Sequence, residues 1–297
     1  MSQLLKSLKG TGVALVTPFK KDGNVDYDAL YKLVQHIIKG KCEYLVVLGT
    51  TGESVTLSDK ERKIVVKSVV DASAGKVPVV LGVGGNNTAE VVRSLKTTDF
   101  TGIDAILSVS PYYNKPTQEG IFEHYKVVAK AAPVPVIIYN VPSRTGSNIS
   151  AETTLKIANE IKNIIGTKEA SGNIEQAMSI IQNRPKDFLV ISGDDGITLP
   201  LVAAGADGLI SVVANAYPSA CSDMVRAAMK GDFVKARKLH YSFYSLIPLL
   251  FAEGNPAGVK VILKHKKIGE DTVRLPLMKV SKELEKKILA FAKTFKG

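Results

Sequence analysis

Short β-branched runs and amphipathic stretches alternate along almost the whole chain. Eight runs have the length and composition of strands: GVALVTPF (12–19), YLVVLGT (44–50), VPVVLGVG (77–84), AILSVSP (105–111), VPVIIYN (134–140), NIIGTK (163–168), FLVISG (188–193) and GLISVV (208–213). Between them, DYDALYKLVQHIIKG (26–40), SDKERKIVVKSVVDASAG (58–75), TQEGIFEHYKVVAKAA (117–132) and SAETTLKIANEIK (150–162) repeat apolar residues every three or four positions. These predict helices, with Ser58 and Ser150 as N-caps and Gly40 and Gly75 as C-terminal stops. Strand–helix alternation calls for a parallel sheet with crossover helices, and eight strands close a barrel. The expected fold is α/β, a TIM (β/α)8 barrel over residues 1–230. An open doubly wound sheet is the alternative, but LGVGGNN (81–87) does not supply its GxGxxG with a suitable helix and acidic partner. After Gly231 the strand pattern stops, and DFVKARKLHYSFYSLIPLLFAEG, NPAGVKVILKHKKIG and SKELEKKILAFAKTFKG read as helices. No Pro/Ser-rich linker precedes them, so residues 231–297 are expected as a C-terminal α-helical segment docked on the barrel or on another subunit. NPAGVK (255–260) reads as a helix start without a further role.

Composition narrows the function more than the fold. The 297 residues are 45% hydrophobic and 23% charged, ordinary for a globular protein with a large core. No segment approaches the roughly 18 uninterrupted apolar residues of a membrane span. MSQLLKSLKGTG at the N-terminus is broken by Lys6 and Lys9 and lacks a signal-peptide core, so a cytoplasmic location without membrane partners is expected. A net charge of +11 raises the possibility of nucleic-acid binding, yet the basic residues are spread, KHKK (264–267) being the densest cluster, and Trp is absent. The expectation is a solvated basic surface that helps draw in small anions, not a nucleic-acid interface. Cys42 and Cys221 match no metal or disulfide spacing and read as small buried residues. His36, His124, His240 and His265 each stand alone in a helix-like segment; no metal site is expected, and the surface is the expected place for them.

In such a barrel the active site gathers at the C-terminal ends of the strands. The second strand ends in GTTGES (49–54), two hydroxyls among small residues that present N–H groups to an anion, or simply a tight turn with a helix cap. The fourth ends in SPYYNKP, with the phenols of Tyr112 and Tyr113 placed for chemistry or for packing. The fifth ends in YNVPSRTG, with Tyr139 at the tip and Arg144 beyond it, a residue suited to gripping a carboxylate or to plain solvation. The sixth ends at Lys168. Alternation puts Ile164, Gly166 and Lys168 on one face, with Gly166 leaving space beside the lysine, and turns Glu169 to the other. A desolvated lysine is the usual amine nucleophile toward carbonyls, and the company at the same rim favours that role over a solvated strand end.

GTTGES, SPYYNKP, YNVPSRTG, GTKEASGN and SGDDG, in this order over nearly the whole chain, resemble the motifs of the dihydrodipicolinate synthase family. That family lies within the pyruvate-dependent, Schiff-base-forming class I aldolases that include N-acetylneuraminate lyase. The resemblance implies a lyase that condenses pyruvate with L-aspartate 4-semialdehyde in the diaminopimelate route to lysine, with no metal or organic cofactor. It implies that Lys168 forms the imine, that Tyr139 is the general acid/base, and that Thr50 and Tyr113 complete a hydroxyl relay, Tyr113 reaching into a neighbouring subunit. It implies further that Thr51 holds the pyruvate carboxylate, Arg144 holds that of the semialdehyde, and Gly193 and Ile210 line the pyruvate pocket. Self-association as at least a dimer, and as a homotetramer, follows from the same resemblance. Ser54, Asn86, Glu90 and Tyr112 match the polar residues of a lysine feedback site, but Asp59 and Arg62 replace two histidines of the sensitive pattern. Asp59 would attract the lysine ammonium and Arg62 would repel it, so inhibition by L-lysine stays open. A sister aldolase that cleaves a sialic acid or 2-keto-3-deoxy sugar acid is the alternative, and Arg144 in SRTG argues against it. A catalytically silent, metabolite-binding barrel would have lost site residues, and none is lost here.

Overall fold

The computed structural model describes residues 2–295; Met1 and the final two residues of the last expected helix, Lys296 and Gly297, lie outside the described residues. All eight expected strands are present: β1 (Gly10–Ala14), β2 (Tyr44–Val47), β3 (Val79–Gly82), β4 (Ala105–Val109), β5 (Val136–Asn140), β6 (Ile164–Glu169), β7 (Leu189–Ser192) and β8 (Gly208–Ser211). Each pairs in parallel with its neighbour in sequence, and β8 returns to β1, so the sheet is a closed barrel. The chain is therefore a TIM barrel, with helices outside and two packed apolar layers. Alternate residues separate them: Tyr44, Val46, Val80, Leu107, Ile137, Ile191 and Ile210 fill the interior, whereas Leu45, Val47, Val79, Ile106 and Val190 face the helices. Leu5 and Leu8, just before β1, join the interior cluster and close the N-terminal mouth.

Helix boundaries follow local chemistry. Ser58 forms a capping box with Glu61 ahead of the helix Asp59–Ser73, and Ser150 accepts from the Thr153 N–H ahead of Ala151–Glu160. Gly40 does end the helix Tyr27–Lys39, but with φ −74°. Its value is close approach, since a Cβ there would come within 2.4 Å of Pro218. At the other stop, Ala74 is the cap at φ 48° and Gly75 follows it, also left-handed, at φ 69°. Beyond Gly231 the first expected helix is divided into Phe233–Phe243 and Leu246–Phe251, followed by Ala257–His265 and Lys282–Thr294. Phe291 and Phe295 pack edge-on against Tyr217, at 6.3 and 4.8 Å between ring centroids, which fastens the last helix to the barrel. No helix among the described residues is long and apolar enough to cross a membrane.

Two sequence expectations need correction. Ile164 does not share a face with Lys168: the β5–β6 register slips between Val136 and Ile137, so Val136 opposes Ile164 while Ile137 opposes Gly166. This β-bulge leaves Ile164 in the outer layer and turns Ile165 inward. Strict alternation cannot foresee an inserted residue. The histidines also differ from expectation, because the helix faces that carry them pack inward. Only His265 is exposed; His36 is half-buried, and His124 and His240 are buried. Cys42 and Cys221 are buried as expected.

The buried His124 makes stability depend on pH. Its Nδ1 lies 2.8 Å from the Thr88 hydroxyl, and burial lowers its pKa from 6.5 to about 4. Between those values the unfolded chain binds a proton that the folded chain refuses, so stability is lost as pH falls through the window. The free-energy gap between wild type and His124→Asn in urea unfolding should shift by about 2 kcal/mol in favour of the variant from pH 7.5 to 4.5. Taking the difference removes groups common to both chains, such as Asp195, whose buried carboxyl is pushed up to about 6. Parallel pH profiles for the two proteins would refute this assignment.

Candidate active site

The barrel register sets Lys168 on β6 directly beside Tyr139 on β5. The lysine is 6% exposed, its Nζ lies 4.2 Å from the centroid of the Tyr139 ring, and it joins no ion pair among the described residues. The aromatic face packs against the lysine nitrogen, and no carboxylate among the described residues engages it. Space for the lysine comes from Gly193 after β7, not from Gly166. A Cβ on Gly193 would meet Lys168 Cε at 2.9 Å, whereas one on Gly166 would strike Leu189 on β7, its carbonyl oxygen at 2.7 Å. Ile210 on β8 lies in the same interior cluster as Tyr139.

Glu169 faces outward, as alternation requires. Its buried carboxylate accepts from the Asn140 and Gln176 side-chain amides and from the Ser171 N–H. Asn140 in turn accepts from the Ile149 N–H, which ties the far end of the loop carrying Arg144 back to β5. Glu169 is thus a loop anchor and not the counter-ion of Lys168. Arg144 lies in the short helix Pro142–Thr145. Its side chain is exposed and makes no ion pair among the described residues, so it is available to an anionic ligand.

The GTTGES segment is a succession of two 3-10 turns, Thr50–Gly52 and Ser54–Thr56, with Glu53 between them in the left-handed region at φ 51°. A non-glycine residue is held there only by its surroundings. The Glu53 carboxylate is fully buried and accepts from Lys260 Nζ at 2.5 Å and from the Arg274 N–H at 2.9 Å. Lys260 also donates to the Thr272 carbonyl and lies over the Phe19 ring; burial brings its pKa down to about 8 despite the Glu53 charge. Thr51 is buried, and its hydroxyl accepts from the Asn255 side-chain amide at 2.9 Å. Thr50 is exposed at the mouth. The N–H groups of Thr50 and Thr51 open the turn and have no partner within it, the usual arrangement for receiving an anion.

Tyr113 is 87% exposed and holds a left-handed backbone at φ 74°, directed away from its own barrel core. No hydrogen bond joins the hydroxyls of Tyr139, Thr50 and Tyr113 among the described residues. At the residues matching a feedback site, Arg62 lies 3.6 Å from Asp59 and donates to the Ser54 carbonyl; Glu90 pairs with Arg93. Asp59 thus already has Arg62 beside it, while Asn86 and Tyr112 are exposed.

Glu53, Asn255 and Lys260 were not singled out in the sequence. The available signal was Lys260 itself, a charge inside the apolar run AGVKVIL, since buried lysines need partners. Its partner lies 207 residues away, which no local pattern reveals.

An amine held inside a closed barrel beside a phenol, below an anion-receiving turn, serves addition to the carbonyl of an acidic substrate. That is the chemistry of aldolase-like enzymes that work through a lysine. The sequence profile of the dihydrodipicolinate synthetase family matches residues 7–295, and the chain belongs to that family. It is 55% identical over 289 residues to a 4-hydroxy-tetrahydrodipicolinate synthase of Flavobacterium psychrophilum, covering 97% of this chain and 99% of that relative. Among solved structures, the chloride-inhibited dihydrodipicolinate synthase of Acinetobacter baumannii complexed with pyruvate is 39% identical, with a TM-score of 0.93 over 97% of this chain and 100% of that one. Dihydrodipicolinate synthase of Cyanidioschyzon merolae with lysine bound is 36% identical, with a TM-score of 0.92 over 97% and 99% of the two chains.

Proposed function

We propose that the protein condenses pyruvate with L-aspartate 4-semialdehyde through an imine on Lys168, giving 4-hydroxy-tetrahydrodipicolinate. The observation that carries this reading is the buried Lys168, in no ion pair among the described residues and set against Tyr139 at the strand ends. The amine adds to the pyruvate ketone and water leaves, forming the imine; loss of a C3 proton gives the enamine. The enamine carbon attacks the aldehyde, making the new C–C bond. The semialdehyde's own amine then attacks the imine carbon, closes the ring and releases Lys168. Tyr139 moves the protons, with Thr50 and Tyr113 passing them toward solvent, because a phenol needs a hydrogen-bonded partner to act as a base at neutral pH. Thr51 receives the pyruvate carboxylate, Arg144 that of the semialdehyde, and Gly193 and Ile210 bound the pocket.

The exposure of Tyr113 supports its reaching a neighbouring subunit's site, so the working enzyme is at least a dimer, and a homotetramer by family resemblance. In the division of the chain into residues 1–230 and 231–297, the described helices between Phe233 and Thr294 serve as a docked extension of the barrel. We assign L-lysine as a feedback ligand near Ser54, Asn86, Glu90 and Tyr112, in line with the lysine-bound relative. Millimolar L-lysine is expected to slow the wild type and to lose its effect in Glu90→Ala; full activity at millimolar excess would remove this assignment.

Borohydride reduction in the presence of pyruvate, followed by peptide mass mapping, tests the mechanism. Covalent label is expected on Lys168 alone. Label on another lysine, or on none, overturns it.

A further inference from the structure

The C-terminal segment grips the GTTGES turn at two buried points. Asn255 donates to the Thr51 hydroxyl oxygen at 2.9 Å across 204 residues of sequence, and Lys260, five residues later at the helix Ala257–His265, locks Glu53. Thr17 donates to the Gly52 carbonyl between them at 2.7 Å. The turn is therefore held at three successive residues, and the contact to Thr51 is the only one of the three made to a hydroxyl.

A hydroxyl has one proton to give and two lone pairs to receive with. Because the Asn255 amide N–H occupies a lone pair, the Thr51 proton cannot be spent on Asn255, and Thr51 donates to nothing else among the described residues. The Asn255 carbonyl oxygen is buried and also unpartnered among the described residues. An orientation that leaves a buried acceptor unused is costly unless it serves another end.

We propose that Asn255 is a positioning residue for the keto-acid carboxylate: it takes the Thr51 oxygen as acceptor so that the Thr51 O–H is aimed at the bound substrate. The inference rests on the reading of Thr51 as the holder of that carboxylate. An aspartate at this position has the same shape but, as a carboxylate, can only accept. Thr51 would then turn its proton toward it, away from substrate, with a negative charge placed behind.

The test compares Asn255→Asp, Asn255→Ala, Thr51→Val and the Asn255→Ala/Thr51→Val double variant in the full-length enzyme. Readouts are kcat, the KM for each substrate, and the pyruvate concentration that half-saturates borohydride trapping. Asn255→Asp should raise the pyruvate KM and the trapping midpoint about tenfold or more, and Asn255→Ala should raise both less. Neither should move kcat or the semialdehyde KM by more than about twofold. The double variant should be no worse than Thr51→Val, because Asn255 acts through that hydroxyl. If Thr51→Val leaves the pyruvate KM unchanged, the carboxylate reading itself fails, and the positioning role with it. If Thr51→Val raises that KM while both Asn255 variants keep it, or if the effects simply add, only the role of Asn255 is overturned. Loss of fold in both Asn255 variants, or a drop in kcat and melting temperature at constant KM, would assign Asn255 to packing and likewise overturn it.

Discussion

Lys168→Ala should abolish pyruvate-dependent borohydride labelling and lower kcat for the condensation by on the order of 10⁴-fold or more. Among the described residues the one other buried lysine, Lys260, is committed to Glu53 and the Thr272 carbonyl. Without the imine, the pyruvate methyl has no electron sink, and proximity cannot replace it. Lys168→Arg should be equally inactive, since a guanidinium does not form the imine, which separates nucleophilicity from charge. Both variants should remain folded. Lys168 is buried with no ion-pair partner among the described residues, so Lys168→Met should melt no lower than wild type. Retention of more than about a hundredth of wild-type kcat in the alanine variant would remove the imine mechanism.

Tyr139→Phe should lower kcat by about 10²–10⁴-fold while leaving the pyruvate KM within a few-fold of wild type. The ring that supports the Lys168 ammonium at 4.2 Å survives the substitution, and only the phenol is lost. Thr50→Val should act in the same direction and more weakly, because in the proposed relay it removes a partner that lends the phenol its proton path. The pattern distinguishes proton transfer from binding: a loss confined to KM would make Tyr139 a wall of the pocket, and wild-type turnover would exclude the relay.

Strand count, barrel closure and the placement of Lys168 at a strand end were legible because period-two apolar runs and intervening helical periods are local signals. The face of Glu169 followed from the same parity. The bulge at Ile164–Ile165 was not legible, since a register shift depends on how two separate strands meet. The same holds for the room beside Lys168. Gly166 is its neighbour in sequence, yet Gly193, on the adjoining strand's exit, is the residue whose missing Cβ makes space. Burial of His124 and His240 likewise reflects which side of a helix meets the barrel.

The sequence by itself determined the element order, the rim of chemistry at the strand ends and the family resemblance, all carried by residues near one another in the chain. Only the tertiary structure decided which groups actually meet: Lys168 with Tyr139, Thr51 with Asn255, Glu53 with Lys260. The reason is physical. Backbone propensity acts over a few residues, whereas a buried polar group is tolerated only when some part of the chain, however distant, arrives to satisfy it.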